Sequence, residues 1–356
     1  MVDIHVIGAR PNFMKAAPVV SALTELGVKP MLVHTGQHYD AALSEIFFEQ
    51  LGLPEPDQNL GVGSGSHAKQ TAALMVALED LFSAVAPRRV AVYGDINSTL
   101  AASVVASKMH IRIAHVEAGL RSFDRAMPEE VNRVVTDALA DLHFITSPEA
   151  EDHLINEGVS PGGIHFAGNP MIDTLLRFRG TFDVDATKRQ FDLPDRYSVA
   201  TLHRPSNVDH PSSAARVVEG LRRVAKELPI VLPLHPRGRD VLSSQGLTDI
   251  DGLLITDPIG YLEFMALVSG ASLVLTDSGG IQEETTVLGI PCLTLRDNTE
   301  RPITVTMGTN RLVGNDPDLI ESAAIEFLAN PPSGRVPPLW DGSAGMRIAR
   351  VLLGEN

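Results

Sequence analysis

A single cysteine, Cys292, stands in a chain of 356 residues, which excludes an internal disulfide and any zinc site built from thiolates. Flanked by Pro291 and Leu293, it reads as buried packing. Positive charge is the scarcer sign: 29 Lys and Arg stand against 44 Asp and Glu, a formal charge of −15. Nucleic acid or an anionic membrane would be repelled over most of such a surface, so neither is an expected partner. No apolar run reaches the roughly 18 residues of a membrane span. Met1-Val2-Asp3-Ile4-His5 opens directly on a strand pattern instead of a charged leader, and the expectation is a cytoplasmic protein. Internal repeats and low-complexity tracts are also missing. Neither Ser nor Cys occupies a nucleophile-elbow context, which disfavours covalent hydrolase chemistry. The histidines show no metal-ligand spacing, so no metal is assigned.

What is present is a regular alternation. Hydrophobic residues make up 44% of the chain, and its length suits two domains of roughly 170 residues each. Short β-branched runs alternate with helix-period segments, the signature of βαβ units and parallel sheets covered on both faces. Strands are expected near 3–7, 30–35, 89–93, 112–116, 142–145 and 164–166, then near 197–201, 229–234, 252–255, 272–276 and 291–294. Helices are expected near 12–27, 68–85, 97–109, 212–227, 260–269, 280–288 and 316–329. The break falls after Gly168-Asn169-Pro170. A Pro-rich segment, 331–338, precedes a last helix from about Ser343 that is expected to return to the first domain.

The most informative stretch is Leu275-Thr276-Asp277-Ser278-Gly279-Gly280-Ile281-Gln282-Glu283-Glu284. It reads as a strand turning tightly into a helix, where glycines let backbone N–H groups approach a ligand and the positive dipole end favours an anion, most often phosphate. Glu284, one turn in, is placed to accept hydrogen bonds from paired hydroxyls such as those of a ribose. An ordinary Gly-rich turn has the same pattern. Ile7-Gly8-Ala9-Arg10-Pro11-Asn12-Phe13-Met14-Lys15 forms a second strand-loop-helix site, in which Arg10 and Lys15 are candidates for a phosphate. It lacks the spacing of a dinucleotide fingerprint or a Walker loop, so neither NAD nor ATP is indicated.

Three carboxylates stand where elements begin or end. Asp95 follows Val90 to Gly94, Glu117 follows Ile113 to Val116, and Glu129 opens a helix behind Pro128. Loops at the carboxyl edge of a parallel sheet gather where ligands bind, so Asp95 and Glu117 are expected to be neighbours. Close carboxylates push their ionisations apart and supply an acid and a base near neutral pH. Each fits a cap or ion-pair role equally, and Glu129 shares a helix face with Arg133. His203-Arg204 and His235-Pro236-Arg237 each follow a strand, where a histidine can neutralise a departing phosphate or transfer a proton.

Taken together, Gly8-Ala9-Arg10-Pro11 with Lys15, Tyr93-Gly94-Asp95, His115-Val116-Glu117-Ala118-Gly119-Leu120-Arg121, Met127-Pro128-Glu129-Glu130-Val131-Asn132-Arg133, Thr201-Leu202-His203-Arg204, Thr276 to Glu284 and Arg296 to Pro302 resemble the non-hydrolysing UDP-N-acetylglucosamine 2-epimerases. The motifs run in family order, ending with Trp340-Asp341-Gly342-Ser343-Ala344.

The resemblance implies an α/β GT-B fold of two Rossmann-like domains with parallel sheets flanking a deep cleft. With the break read above, domains are expected at 1–168 and 169–338, with a 339–356 segment packing on the first. The resemblance further implies interconversion of UDP-GlcNAc and UDP-ManNAc by elimination of UDP to 2-acetamidoglucal and re-addition, without metal, NAD or other cofactor, in a homodimer. By the same resemblance, Asp95, Glu117, Glu129 and His203 are the catalytic candidates. Arg10, Lys15, His203, Ser278, Gly279, Gly280 and Arg301 would hold the diphosphate, with Glu284 on ribose and Phe264 near uracil. Ala9 and Asn12 replace the family's more frequent Thr and Glu, and close relatives act on other UDP-2-acetamido sugars. Gln37 and His38 match members with an activating second UDP-GlcNAc site, whereas Tyr39 and Asp40 differ. A hydrolysing relative, a GT-B glycosyltransferase and a UDP-sugar-binding module are the competing readings.

Overall fold

A computed structural model describes residues 2–36, 51–234 and 238–354, the side chain of Arg10 excepted. The Gln37–Asp40 and His235–Arg237 segments singled out above lie outside the described residues.

The chain divides into two units, Met1–Arg177 with Pro338–Asn356, and Phe178–Pro337. The first unit holds a parallel sheet of β1 (Asp3–Ile7), β2 (Met31–His34), β3 (Gln58–Asn59), β4 (Arg89–Tyr93), β5 (Arg112–Ala118), β6 (Leu142–Ile145) and β7 (Ile164–Phe166). Their spatial order is β3-β2-β1-β4-β5-β6-β7. Strand β4, Arg-Val-Ala-Val-Tyr, is buried along its whole length, and its run Val90 to Tyr93 is apolar throughout, as expected in the middle of a doubly covered sheet. One face of this sheet packs Val6, Val90 and Val92 against Leu74, Leu78 and Phe82 of the His67–Val85 helix.

The second unit repeats the plan with β8 (Ser198–Thr201), β9 (Ile230–Pro233), β10 (Leu253–Thr256), β11 (Leu273–Thr276), β12 (Cys292–Thr294) and β13 (Asn310–Leu312), in the order β10-β9-β8-β11-β12-β13. Its core joins Leu232, Leu273, Leu275 and Leu293 to Val217, Leu221 and Val224 of the Pro211–Glu227 helix. Every expected strand is present. Two were not expected: β3 is an exposed Gln-Asn pair and β13 spans three residues, too short for an alternation to register.

The first division falls after Arg177, past the break expected at 168, because the Pro170–Phe178 helix buries Met171, Ile172 and Leu175 and Thr174 donates to the Met14 carbonyl at 2.6 Å. Within this unit the last helix, Ala344–Leu353, packs on the Arg10–Glu25 helix. Its first turn is held by Asp173 Oδ2, which accepts from the Gly345 N–H at 2.7 Å, and its last by Arg89, which donates to the Leu352 carbonyl at 2.6 Å. Trp340 is buried and donates to the Thr146 carbonyl. Cys292 is fully buried, and that burial pushes its thiol up to about 12, which makes it an inert packing group.

Strand order places the sites. Each sheet is doubly wound, and chain direction across it reverses between β1 and β4 in one unit and between β8 and β11 in the other. Ligands of open parallel sheets bind outside the carboxyl ends at such reversals. The loops there are Gly8–Arg10 with Gly94–Asp95, and Leu202–Arg204 with Asp277–Gly279.

Candidate functional site

In the first unit the acids are fixed one at a time. Glu117 lies at a β-bulge, where the β5 register against β6 shifts between Val116 and Ala118, and its φ is +74°. A bulge adds one unpaired residue and re-aims a side chain, and a non-glycine residue held in this region stores on the order of 1–3 kcal/mol of strain. The carboxylate so aimed is 2% exposed and accepts from Lys15 Nζ at 2.7 Å. Gly94, φ +61°, closes over this pair: a Cβ there would lie 2.9 Å from Lys15 Nζ and 3.6 Å from Glu117 Oε1. Only glycine lets the β4 turn pass so near, and Asp95 is the next residue. Asn12 secures the turn by donating to the Tyr93 carbonyl at 2.8 Å while accepting from the Gly8 N–H at 3.2 Å.

Asp95 is paired from the Pro128–Leu139 helix. Arg133 Nη1 donates to its carboxylate, and Asn132 Nδ2 donates to its carbonyl at 2.8 Å. Arg133 is itself buried and bonded to Glu130 at 2.7 Å. Burial works against the Glu130 charge, but the Ser122 N–H and Arg133 outweigh it and hold the carboxyl below its ordinary range. Glu129 occupies the second position of this helix, half-buried. The expected proximity of Asp95 and Glu117 thus takes a specific form: the Glu117 carboxylate lies against Gly94, and each acid faces a cation of its own.

One assignment changes. The sequence assigns Lys15 to a phosphate; the structure commits its ammonium to Glu117. The sequence leaves a Glu129–Arg133 pair open; the structure bonds Arg133 to Glu130 and Asp95. Spacing alone does not state the lysine's target, which is 102 residues away.

The second unit is built on backbone donors. β11 ends at Thr276, and the Gly279–Leu288 helix follows after Asp277 and Ser278. Ser278 takes the N-cap position without capping the helix through its hydroxyl, which leaves first-turn N–H groups for an anion. Asp277, fully buried, accepts from the His203 N–H at 2.9 Å, the Arg204 N–H at 3.0 Å and Asn207 Nδ2 at 3.1 Å. It locks the loop after β8 to the loop after β11 and leaves the His203 side chain 52% exposed, with Nδ1 3.9 Å from Asp277 Oδ1. Sequence reading assigned Asp277 no role, although an acid directly before Ser-Gly-Gly at a strand end is a visible signal.

Arg301 lies over Gly279. A Cβ at Gly279 would meet Arg301 Nη1 at 2.3 Å and Glu300 Oε1 at 2.7 Å. The guanidinium is held there by Glu283 at 2.9 Å and Glu300 at 2.5 Å, and Glu300 also binds Arg296 at 2.7 Å. Fixed acidic partners explain how a cation stays at a loop built for an anion. Glu284 is buried and accepts from Tyr261 Oη at 2.9 Å. Burial, with Glu283 adding like charge against the Tyr261 bond, pushes its carboxyl up to about 8. Phe264 sits half-buried one turn beyond Tyr261 in the Tyr261–Gly270 helix. Ser278, Gly279, Gly280, His203 and Arg301 thus share one end of one sheet. The backbone of Arg10 opens its helix in the first unit. Among the described residues no group of three metal-ligating side chains is gathered, and no helix is long and apolar enough to cross a membrane.

Comparison with known proteins agrees along nearly the whole chain. The family model for UDP-N-acetylglucosamine 2-epimerase matches residues 22–353. The UDP-N-acetylglucosamine 2-epimerase of Methanocaldococcus jannaschii is 40% identical over 98% of this chain and 97% of its own. The UDP-2,3-diacetamido-2,3-dideoxy-D-glucuronate 2-epimerase of Pseudomonas aeruginosa is 43% identical over 98% of each. The crystal structure of the M. jannaschii UDP-GlcNAc 2-epimerase, in complex with UDP-GlcNAc and UDP, superimposes with a TM-score of 0.93 at 39% identity, covering 99% of this chain and 100% of that one.

Proposed function

The chain belongs to the UDP-N-acetylglucosamine 2-epimerase family, and from that premise we propose that it interconverts UDP-GlcNAc and UDP-ManNAc. The observation that carries the reading is the pairing of chemistries at two sheet reversals: clamped carboxylates in one unit, an uncapped glycine helix start with a fixed arginine in the other.

In this reading a carboxylate of the first unit takes the C2 proton, the C1–O electron pair leaves with UDP, and C1 and C2 become doubly bonded. UDP oxygen then returns to C1 while a proton adds at C2 from the opposite face, so atoms and charge balance over the cycle. Asp95, Glu117 and Glu129 are the acid–base groups, and Lys15 and Arg133 hold the Glu117 and Asp95 carboxylates in position for proton transfer. The N–H groups of Gly279 and Gly280, with Arg301, Arg10 and His203, take the diphosphate, whose charge rises as the bond breaks. Glu284 receives the ribose hydroxyls and Phe264 lies by uracil. Holding UDP through the glycal stage is essential, because its escape ends the reaction at a side product. The substrate is a small nucleotide sugar, the enzyme acts in the cytoplasm, and its assembly is a homodimer.

A second reading rests on the P. aeruginosa relative, named for a diacetamido-glucuronate, whose identity of 43% exceeds the 40% of the M. jannaschii GlcNAc enzyme. The test is product identity by phosphorus and proton NMR with each nucleotide sugar offered separately. An equilibrium mixture of UDP-GlcNAc and UDP-ManNAc supports the first reading. Turnover of the diacetamido-glucuronate alone selects the second, and free ManNAc plus UDP overturns both in favour of hydrolysis.

A further inference from the structure

The three acid-bearing elements of the first unit are tied at one buried point that the proposed reaction leaves unused. His115, fully buried on β5 two residues before Glu117, faces acceptors with both ring nitrogens. Nε2 lies 2.8 Å from the Gly94 carbonyl, immediately before Asp95. Nδ1 lies 2.6 Å from Asp137 Oδ1, on the helix that carries Glu129 and Arg133. A carbonyl oxygen only accepts, so Nε2 must carry hydrogen whichever partner holds the proton at Nδ1. Asp137 in turn accepts from the Gly119 N–H at 3.0 Å and pairs with Arg121 at 2.8 Å, and Arg121 is bonded to Glu157 at 2.5 Å. His115, Asp137, Arg121 and Glu157 thus form one connected network. Burial alone would raise the Asp137 carboxyl, but His115 and Arg121 hold it below its ordinary range.

We propose that the His115–Asp137 dyad is the positioning device for the acid–base groups: Asp137 fixes the imidazole, and its Nε2–H fixes the Gly94 carbonyl and with it the Asp95 turn against Glu117. The proposal rests on the epimerase reading for its kinetic consequence and on the hydrogen bonds alone for its structural one. Gly94 has no side chain with which to brace itself, its φ is positive, and its N–H already goes to the Val116 carbonyl at 2.9 Å. The imidazole is therefore the side-chain brace on that peptide's oxygen. A displacement near 1 Å of a reacting group costs on the order of 100-fold in rate.

The test compares three variants. His115→Leu fills the space and removes both bonds; His115→Gln keeps a donor near Nε2; Asp137→Asn keeps the shape and removes the charge. The expected result for His115→Leu is a fall in kcat of roughly 10–100-fold with KM and UDP affinity within about threefold of wild type. His115→Gln should recover a large part of that loss. Amide hydrogen exchange across 93–97 should quicken in His115→Leu whether or not any substrate turns over. Asp137→Asn should move rate and exchange the same way, and it decides the matter if His115→Leu does not fold. Wild-type kcat with unchanged exchange in a folded variant overturns the proposal, as does a loss that His115→Gln fails to recover at all. If wild-type protein does not turn over a UDP-sugar, the epimerase reading has failed and the exchange measurement alone judges the dyad.

Discussion

The two units share a winding and put their polar residues at the same topological position, yet they build opposite kinds of site. In Met1–Arg177 the loops at and beside the reversal of chain order hold the Asp95 and Glu117 carboxylates, each paired with a buried cation, and Glu117 sits at positive φ. In Phe178–Pro337 the reversal holds backbone donors and an arginine, each secured by a buried acid such as Asp277, Glu283 or Glu300. A doubly wound sheet fixes where a site goes, and the charges carried by its loops decide what that site does. In the proposed reaction the first unit transfers the proton and the second retains the anion, and that division is open to attack from either side.

The largest expected effect lies with the acids. Asp95→Asn and Glu117→Gln should each lower turnover by roughly 100-fold or more, the scale of lost acid–base catalysis, while UDP binding measured by calorimetry stays near wild type. Near-wild-type rates in both variants would remove them from the mechanism, and a parallel collapse of UDP affinity would erase the division between units. Next is Gly279→Ala. Its Cβ would stand 2.3 Å from Arg301 Nη1, and overpacking of about 1–3 kcal/mol should appear as a roughly tenfold or larger loss of UDP affinity. Unchanged affinity would show that Arg301 and the helix start do not grip the nucleotide.

The smallest effect is a pH dependence. The Glu284 carboxyl is raised to about 8 in the folded protein against its ordinary value of 4.5, so the folded state binds the extra proton between those values. Stability of the ligand-free protein should therefore fall as pH rises from about 4.5 to 8 and level off above. Glu284→Gln should flatten that part of the Tm profile, bringing the two proteins together near pH 4.5 and separating them in favour of the variant at pH 8. A wild-type profile with no such slope would mean the carboxyl is not held protonated by its surroundings.

Much of this was legible in the chain. The alternation of β-branched runs with helix-period segments gave the two parallel sheets, because strands covered on both faces must be apolar throughout, as Val90 to Tyr93 are. The position of Asp95, Glu117, His203 and the Ser278-Gly279-Gly280 turn at strand ends was legible because polar residues break the apolar runs there. The partners were not. Lys15 reaches Glu117 across 102 residues and Arg133 reaches Asp95 across 38, and long side chains carry no periodicity that states their target. Nor does a sequence reveal that Glu117 sits at positive φ, since bulges arise from register against a neighbouring strand. The domain break was read from weak periodicity after Pro170, whereas the burial of Met171, Ile172 and Leu175 is what keeps that helix with the first unit.

Division of labour between a proton-exchanging unit and a nucleotide-retaining unit is tested most directly by proton NMR of UDP-GlcNAc incubated with the enzyme in deuterium oxide. Deuterium should enter C2 of both UDP-GlcNAc and UDP-ManNAc, with free UDP and glycal remaining minor species. Interconversion that leaves the original hydrogen at C2, or no exchange at C2 under conditions where UDP binds, would contradict it.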